Sequence, residues 1–226
     1  PICGETTADD VPVEIYWCEE CKIPIVQNVS QADRGICPKC GKQTKYMAAD
    51  LRPVFPEERL LLELLLGKKP HEYIEKSVWS ANSRYYIDGE SVAISSKIFQ
   101  TADTDYLIKE IEKHKHQNNY EVFNKHISDF ILANKNRLDY LKDEAYEFVR
   151  KTASKFDEEK IVLSFSGGKD STVTADIVVK ALSNPSLVHI FGNTTLEFPS
   201  TVAYAERYRD NHPHAIFLTA KNEEQI

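Results

Sequence analysis

The chain has 226 residues, a net charge of −7 and 42% hydrophobic residues, enough apolar content for one large domain or two to three small ones and too much for global disorder. Its charges are spread evenly and no segment forms a basic tail, so non-specific binding to a phosphate backbone is not advertised. The longest apolar run, Leu60–Leu66, is interrupted by Glu63, and the opening PICGETTADD has no basic start and no apolar stretch; neither a membrane span nor a signal peptide fits, and the expectation is a soluble cytoplasmic protein with no membrane partner.

Residues 1–50 are rich in Cys, Pro and Gly and read as a small metal-held module. Cys18-x2-Cys21 is followed, after fifteen residues, by Cys37-x2-Cys40 and Gly41. Two knuckles of this form put four thiolates at the corners of a tetrahedron, which suits a closed structural Zn²⁺ site of the zinc-ribbon kind. Iron at the same four cysteines stays open. Disulfides do not fit a chain with no secretion signal, and a redox dithiol would call for a thioredoxin-like βαβ pattern around one CxxC. Cys3 is left over as an incidental thiol.

Residues 51–105 hold a helix and a small β-rich unit. FPEERLLLELLLGKK has Pro56 suited to a first turn, Glu57 and Glu58 at the positive end, and Gly67 at the stop. At about 77–100 the period changes. Tyr85-Tyr86-Ile87 and Ser91-Val92-Ala93-Ile94 flank Asp88-Gly89, a strong hairpin signal. Residues 106–158 read as a helical connector with a break near 133–136, because Phe123, Ile127, Phe130, Leu138, Leu141, Ala145 and Phe148 recur at three- and four-residue intervals. His114 and His116 are two apart, so a solvated helix surface is expected rather than a metal site.

From residue 159 the chain alternates. Strand 161–165, helix 171–182, strand 187–191, helix 200–211 and strand 215–218 spell β-α-β-α-β, a Rossmann-like parallel sheet with right-handed crossovers. The first strand runs into SFSGGKDSTV at 164–173. A glycine turn that opens a helix is a natural anion site, because the free amides of the helix start point at the ligand. Ser166, Ser171 and Thr172 add hydroxyls and Lys169 adds charge. The Walker pattern fails, since Asp170 follows Gly168-Lys169 and Leu163 stands where its first glycine belongs; the dinucleotide pattern needs a third glycine.

SGGKDS, Ser166–Ser171, resembles the signature of the PP-loop superfamily. FGNTTLEFPSTVAYAERY at 191–208 is similar to the segment after the second strand in its phosphoadenosine phosphosulfate (PAPS) reductase-like branch, with Asn193, Thr195 and Ser200 where that branch usually has Asp, Gly and Glu. The resemblance implies an adenine-nucleotide site at Ser166, Gly167, Gly168, Lys169, Asp170, Ser171 and Thr172, with Thr194 and Glu197 at the end of the second strand. It implies an enzyme that cleaves ATP between the α and β phosphates with Mg²⁺, Lys169 and Asp170 being the catalytic candidates. The intact Lys169-Asp170 pair resembles the ATP-cleaving sulfurtransferases, which adenylate a substrate and move sulfur to a nucleic acid. Alternatives are a true reductase of activated sulfate and a non-catalytic nucleotide sensor that binds nucleic acid.

The 77–100 stretch vaguely resembles a PUA-like RNA-binding module, in which Trp79, Tyr85 and Tyr86 would stack on bases; core aromatics are the competing expectation. No cysteine occurs after Cys40, so a catalytic thiol or cluster ligand for sulfur transfer is not in the visible catalytic half, which weakens the sulfur reading; a sulfur donor protein is among the partners considered. In a sheet ordered 3-2-1-4-5 the first strand is central, and residues 159–226 supply strands for one side of it alone. The domain therefore reads as apparently truncated, its missing half supplied by residues beyond 226 or by another chain. The reading is an α/β PP-loop half-domain at 159–226, preceded by a zinc ribbon and an α+β middle region.

Overall fold

The computed structural model describes residues 12–82 and 84–221; Cys3 lies outside them. Two compact units result, one ending at Leu138 and one beginning at Asp139.

In the first unit, β1 (Val13–Cys18), β2 (Ile23–Asn28) and β3 (Lys45–Ala48) form an antiparallel sheet ordered β2-β1-β3. A second sheet, ordered β4-β5-β6-β7, contains β4 (Arg52–Pro53), β5 (Val78–Ala81), β6 (Arg84–Ile87) and β7 (Glu90–Ala93). Between β4 and β5 runs α1 (Pro56–Leu65), opened by Pro56 and burying Leu60, Leu62 and Leu64. Helices α2 (Ser96–Thr101), α3 (Thr104–His114) and α4 (Tyr120–Ala133) follow. The stretch expected to be β-rich to residue 100 thus turns helical at Ser96.

The Asp88-Gly89 turn joins β6 to β7 with both residues at positive φ. Its function is also tertiary. Ile15, Trp17 and Met47 from the first sheet share one core with Trp79, Ala81 and Tyr86 from the second. Trp79 and Tyr86 are buried, Trp79 donates to Ser77 Oγ at 2.8 Å, and Tyr86 donates to the Met47 carbonyl at 3.0 Å. Of the two expectations for these rings, the core one holds: Trp79 and Tyr86 join the two sheets. Tyr85 instead donates to Glu58 Oε1 at 2.7 Å.

Asn134 supplies the predicted break. It caps α4, and its side chain replaces a strand partner at the edge of β2, accepting from Val26 N–H at 2.7 Å and donating to the Pro24 carbonyl at 3.1 Å. Helix α5 (Lys135–Ala153) begins directly after it.

The second unit holds β8 (Val162–Phe165), α6 (Lys169–Leu182), β9 (Val188–Asn193), α7 (Pro199–Asn211) and β10 (Ile216–Lys221). The strands are parallel and ordered β10-β9-β8, as the alternating pattern requires. Leu163, Phe165, His189, Phe191 and Phe217 gather with Ala175, Ala205 and Tyr208 of the helices. On the opposite face Val162, Ile216 and Leu218 are each about half exposed, and β8 has β9 as its one strand neighbour among the described residues. Among the described residues no helix is long and apolar enough to cross a membrane.

A Cβ at Gly89 would lie 2.4 Å from the Trp17 indole, and its φ is +86°, whereas Gly35, at φ +84°, faces open space. Gly89→Ala is expected to cost about 2–4 kcal/mol, from overpacking added to left-handed strain, and Gly35→Ala about 1–2 kcal/mol from strain alone. Urea unfolding of both variants checks this; equal losses would show that the Trp17 contact does not constrain the turn.

Candidate phosphate loop and metal centre

The loop is built from the end of β8 upward. Phe165 is buried and fixes the strand; the chain then turns through Gly167 at φ +74°, where a Cβ would meet Thr201 Cγ2 at 3.1 Å and the Thr201 carbonyl oxygen at 3.4 Å. Glycine is required here by both conformation and space. Gly168 is the N-cap of α6 and has no side chain with which to cap it. The first intrahelical bond runs from Thr172 N–H to the Gly168 carbonyl at 3.1 Å, so the amides of Lys169, Asp170 and Ser171 precede it and are open to an anion.

The hydroxyls brace the loop. Ser171 Oγ accepts from the Ser166 amide at 3.2 Å and the Ser166 hydroxyl at 3.1 Å, and donates to the Gly168 carbonyl at 3.0 Å. Ser166 Oγ accepts from Gly168 N–H at 3.4 Å. Thr172 Oγ1 donates to the Gly168 carbonyl at 2.9 Å and accepts from the Tyr204 hydroxyl at 3.2 Å. Lys169 and Asp170 extend into solvent, 91% and 88% exposed, and pair with each other at 3.1 Å. An ion pair so exposed contributes little to folding, which leaves both groups free to meet a ligand.

At the end of β9, Thr194 Oγ1 donates to Glu197 Oε1 at 3.0 Å. Thr195 takes a left-handed φ of +69°, the conformation that a glycine at this point of the resembled motif would adopt without strain. Here Asn193 Oδ1 holds it by accepting from the Thr195 amide at 2.9 Å. Thr201 and Tyr204, absent from the sequence-based set of site residues, touch the loop directly; the signal for them was their place in FPSTVAY, at the start of the helix after the second strand.

The four cysteines form the second centre. Their sulfurs lie within 4.8 Å of one another, with Cys18–Cys40 at 3.6 Å and Cys21–Cys37 at 4.0 Å. A tetrahedral ion with metal–sulfur bonds of about 2.3 Å needs sulfurs about 3.8 Å apart, so the residues fit a metal such as zinc. Both knuckles close alike: Lys22 N–H donates to the Cys18 carbonyl at 2.9 Å and Gly41 N–H to the Cys37 carbonyl at 2.8 Å, both residues at positive φ. Cys18 and Cys37 are buried with Ile23, Ile25 and Ala133, so the end of α4 covers the cluster. In the metal-free state burial pushes the Cys18 and Cys21 thiols up, whereas the Lys42 amide at its sulfur brings Cys40 down to about 7.

Residues 160–225 match the family model described as the phosphoadenosine phosphosulfate reductase domain. The chain is similar to two uncharacterized proteins of Methanocaldococcus jannaschii. It is 32% identical to MJ0066 over 45% of this chain and 21% of the relative, and 30% identical to MJ0973 over 42% and 24%. It therefore spans about a fifth to a quarter of the curated relatives it matches. No solved structure matches it significantly.

Because the raised Cys18 and Cys21 thiols must lose protons to bind metal, metal retention is expected to rise with pH and to fail on acidification. A chelator challenge of the metal-loaded protein between about pH 8 and about pH 5, read by metal content, should show progressive loss. Retention that does not change with pH would contradict a thiolate cage.

Proposed function

We propose, from the match of residues 160–225 to the phosphoadenosine phosphosulfate reductase domain model, that these residues are a PP-loop domain, and that the protein binds ATP at Ser166–Thr172, cleaves it between the α and β phosphates, and adenylates an acceptor for sulfur transfer to a nucleic acid. The observation that carries this is the glycine-capped helix start: three open amides beside an intact, solvent-facing Lys169-Asp170 pair.

On this reading the amides of Lys169–Ser171 and the Lys169 ammonium hold the β and γ phosphates, while the bracing by Ser166, Ser171 and Thr172 keeps those amides aimed before the ligand arrives. An acceptor oxygen attacks the α-phosphorus, the α–β bridge breaks and pyrophosphate leaves. Donors fixed in advance around the departing charge are the main catalytic device. Magnesium, when bound, offsets phosphate charge, and Asp170 offers the carboxylate oxygen that such an ion takes. Thr194 and Glu197 face the same strand ends and are assigned to nucleotide contact. Sulfur then displaces AMP. A donor protein is the proposed source of that sulfur, and RNA or DNA the proposed acceptor. Among the described residues β8 has one open edge and the sheet one half-exposed face; on this reading further polypeptide, from beyond residue 226 or from another chain, takes both, since parallel sheets are covered on both faces. The expected setting is cytoplasmic.

The matched family description favours a second reading, reduction of PAPS to sulfite by a thiol donor. One assay separates them. Protein from its natural source is given ATP, Mg²⁺ and bulk tRNA or DNA, or PAPS and a reduced thiol. The proposal expects AMP and pyrophosphate from the first mixture, with Lys169→Ala lowering kcat/KM by about 100-fold. Sulfite from the second mixture would favour the reductase, and no product from either would overturn both.

A further inference from the structure

We propose that Tyr204 of α7 is a positioning residue: acting through Thr172, it fixes the peptide plane that aims the Lys169 N–H outward. This role rests on the phosphate reading of the loop. Each hydroxyl there has one hydrogen, and the bonds it makes leave a single way to place it. A carbonyl only accepts, so Ser171 Oγ at 3.0 Å and Thr172 Oγ1 at 2.9 Å both donate to the Gly168 carbonyl. Their hydrogens are then used. Ser171 Oγ must accept from the Ser166 hydroxyl at 3.1 Å, and Thr172 Oγ1 from the Tyr204 hydroxyl at 3.2 Å. None of Ser166, Ser171 and Thr172 keeps a hydroxyl hydrogen for a phosphate oxygen. These side chains orient, and the backbone amides are left to bind.

The donors converge on the Gly168 carbonyl, which also accepts from the Thr172 amide at 3.1 Å. Its C=O and the N–H of Lys169 belong to one planar trans peptide and point in opposite directions. Drawing the carbonyl into the first turn of α6 therefore turns the Lys169 N–H away from the helix, where an anion would meet it. Gly168 has no side chain with which to hold that plane, so the task falls to Ser171, Thr172 and, behind Thr172, Tyr204. The tyrosine ring is itself held. It stacks on Phe165 at 6.4 Å and 15°, and the Arg207 guanidinium lies over it at 5.8 Å. One turn earlier, Thr201 of α7 faces Gly167. The segment that opens α7 carries Thr194 and Glu197 from the end of β9, so a shift of that segment reaches the Lys169 amide by way of Tyr204. Such a coupling acts equally in both directions.

Inorganic pyrophosphate with Mg²⁺ is titrated by calorimetry into the metal-loaded chain and into Tyr204→Phe, Thr172→Val, the double variant and Thr172→Ser. Tyr204→Phe keeps the ring, removes one hydroxyl and is expected to weaken binding about fivefold. Thr172→Val should lose at least as much, and Thr172→Ser, which keeps the hydroxyl, should bind as the unaltered chain does. Because the tyrosine acts through the threonine, the double variant should bind no more weakly than Thr172→Val alone. Additive losses, or a Tyr204→Phe that binds normally, would overturn the proposal. If Thr172→Val does not fold, Tyr204→Phe against Thr172→Ser decides. A ligand-free measurement separates this role from the phosphate reading: the Gly168 carbonyl-carbon and Lys169 amide-nitrogen resonances should move in Tyr204→Phe. If they move and no variant nor the unaltered chain binds pyrophosphate, the phosphate reading fails and the peptide-plane role stands; if they stay in place, the role of Tyr204 fails.

Discussion

The second unit depends on a steric constraint at one residue. β8 must hand the chain to α6 through Gly167, whose missing side chain is what lets Thr201 approach. An alanine there would crowd the Thr201 methyl at 3.1 Å and hold the left-handed turn under strain. With the turn fixed, Gly168 becomes a cap that has nothing to cap with, and the first helical amides face outward. The serine and threonine hydroxyls then tie the loop to itself, and Tyr204 ties it to α7. The open amides at the start of α6 are thus a by-product of how closely two helices and a strand end are packed. They are aimed in advance, which would lower the ordering cost of binding an anion.

The first unit is organised by the four sulfurs and by two long-range contacts that reinforce them. Ala133 at the end of α4 lies against the cysteine cluster, and Asn134 satisfies the edge of β2 next to it. Trp17 leaves the cysteine-bearing strand to lie on the Gly89 turn of the second sheet. Loss of the metal would therefore loosen α4 and the shared aromatic core as well as the knuckles. The ribbon and the β-rich stretch behave as parts of one body rather than as beads.

The sequence made some features legible and hid others, for physical reasons. The cysteine knuckles, the Asp88-Gly89 hairpin and the β-α-β-α-β alternation are local patterns, with spacing and turn chemistry written within a few residues. The glycine turn was legible because glycine has few substitutes at φ +74°. What could not be read depends on contacts far apart in the chain: Asn134 standing in for a strand partner, Trp79 and Tyr86 buried by the ribbon sheet rather than offered to bases, and Thr201 and Tyr204 supporting the loop. Thr195 is intermediate. Its departure from the resembled motif was visible, but the left-handed backbone it keeps, and the Asn193 bond that holds it, required coordinates.

On the proposed reading, the open amides of the α6 start receive the phosphates of an adenine nucleotide. A backbone-amide NMR titration of the metal-loaded chain with MgATP tests this. Saturable shifts are expected that begin at Lys169, Asp170 and Ser171 and extend to Gly167 and Thr194. Shifts confined to residues outside the second unit, or no shift at the α6 amides at saturating nucleotide, would contradict it.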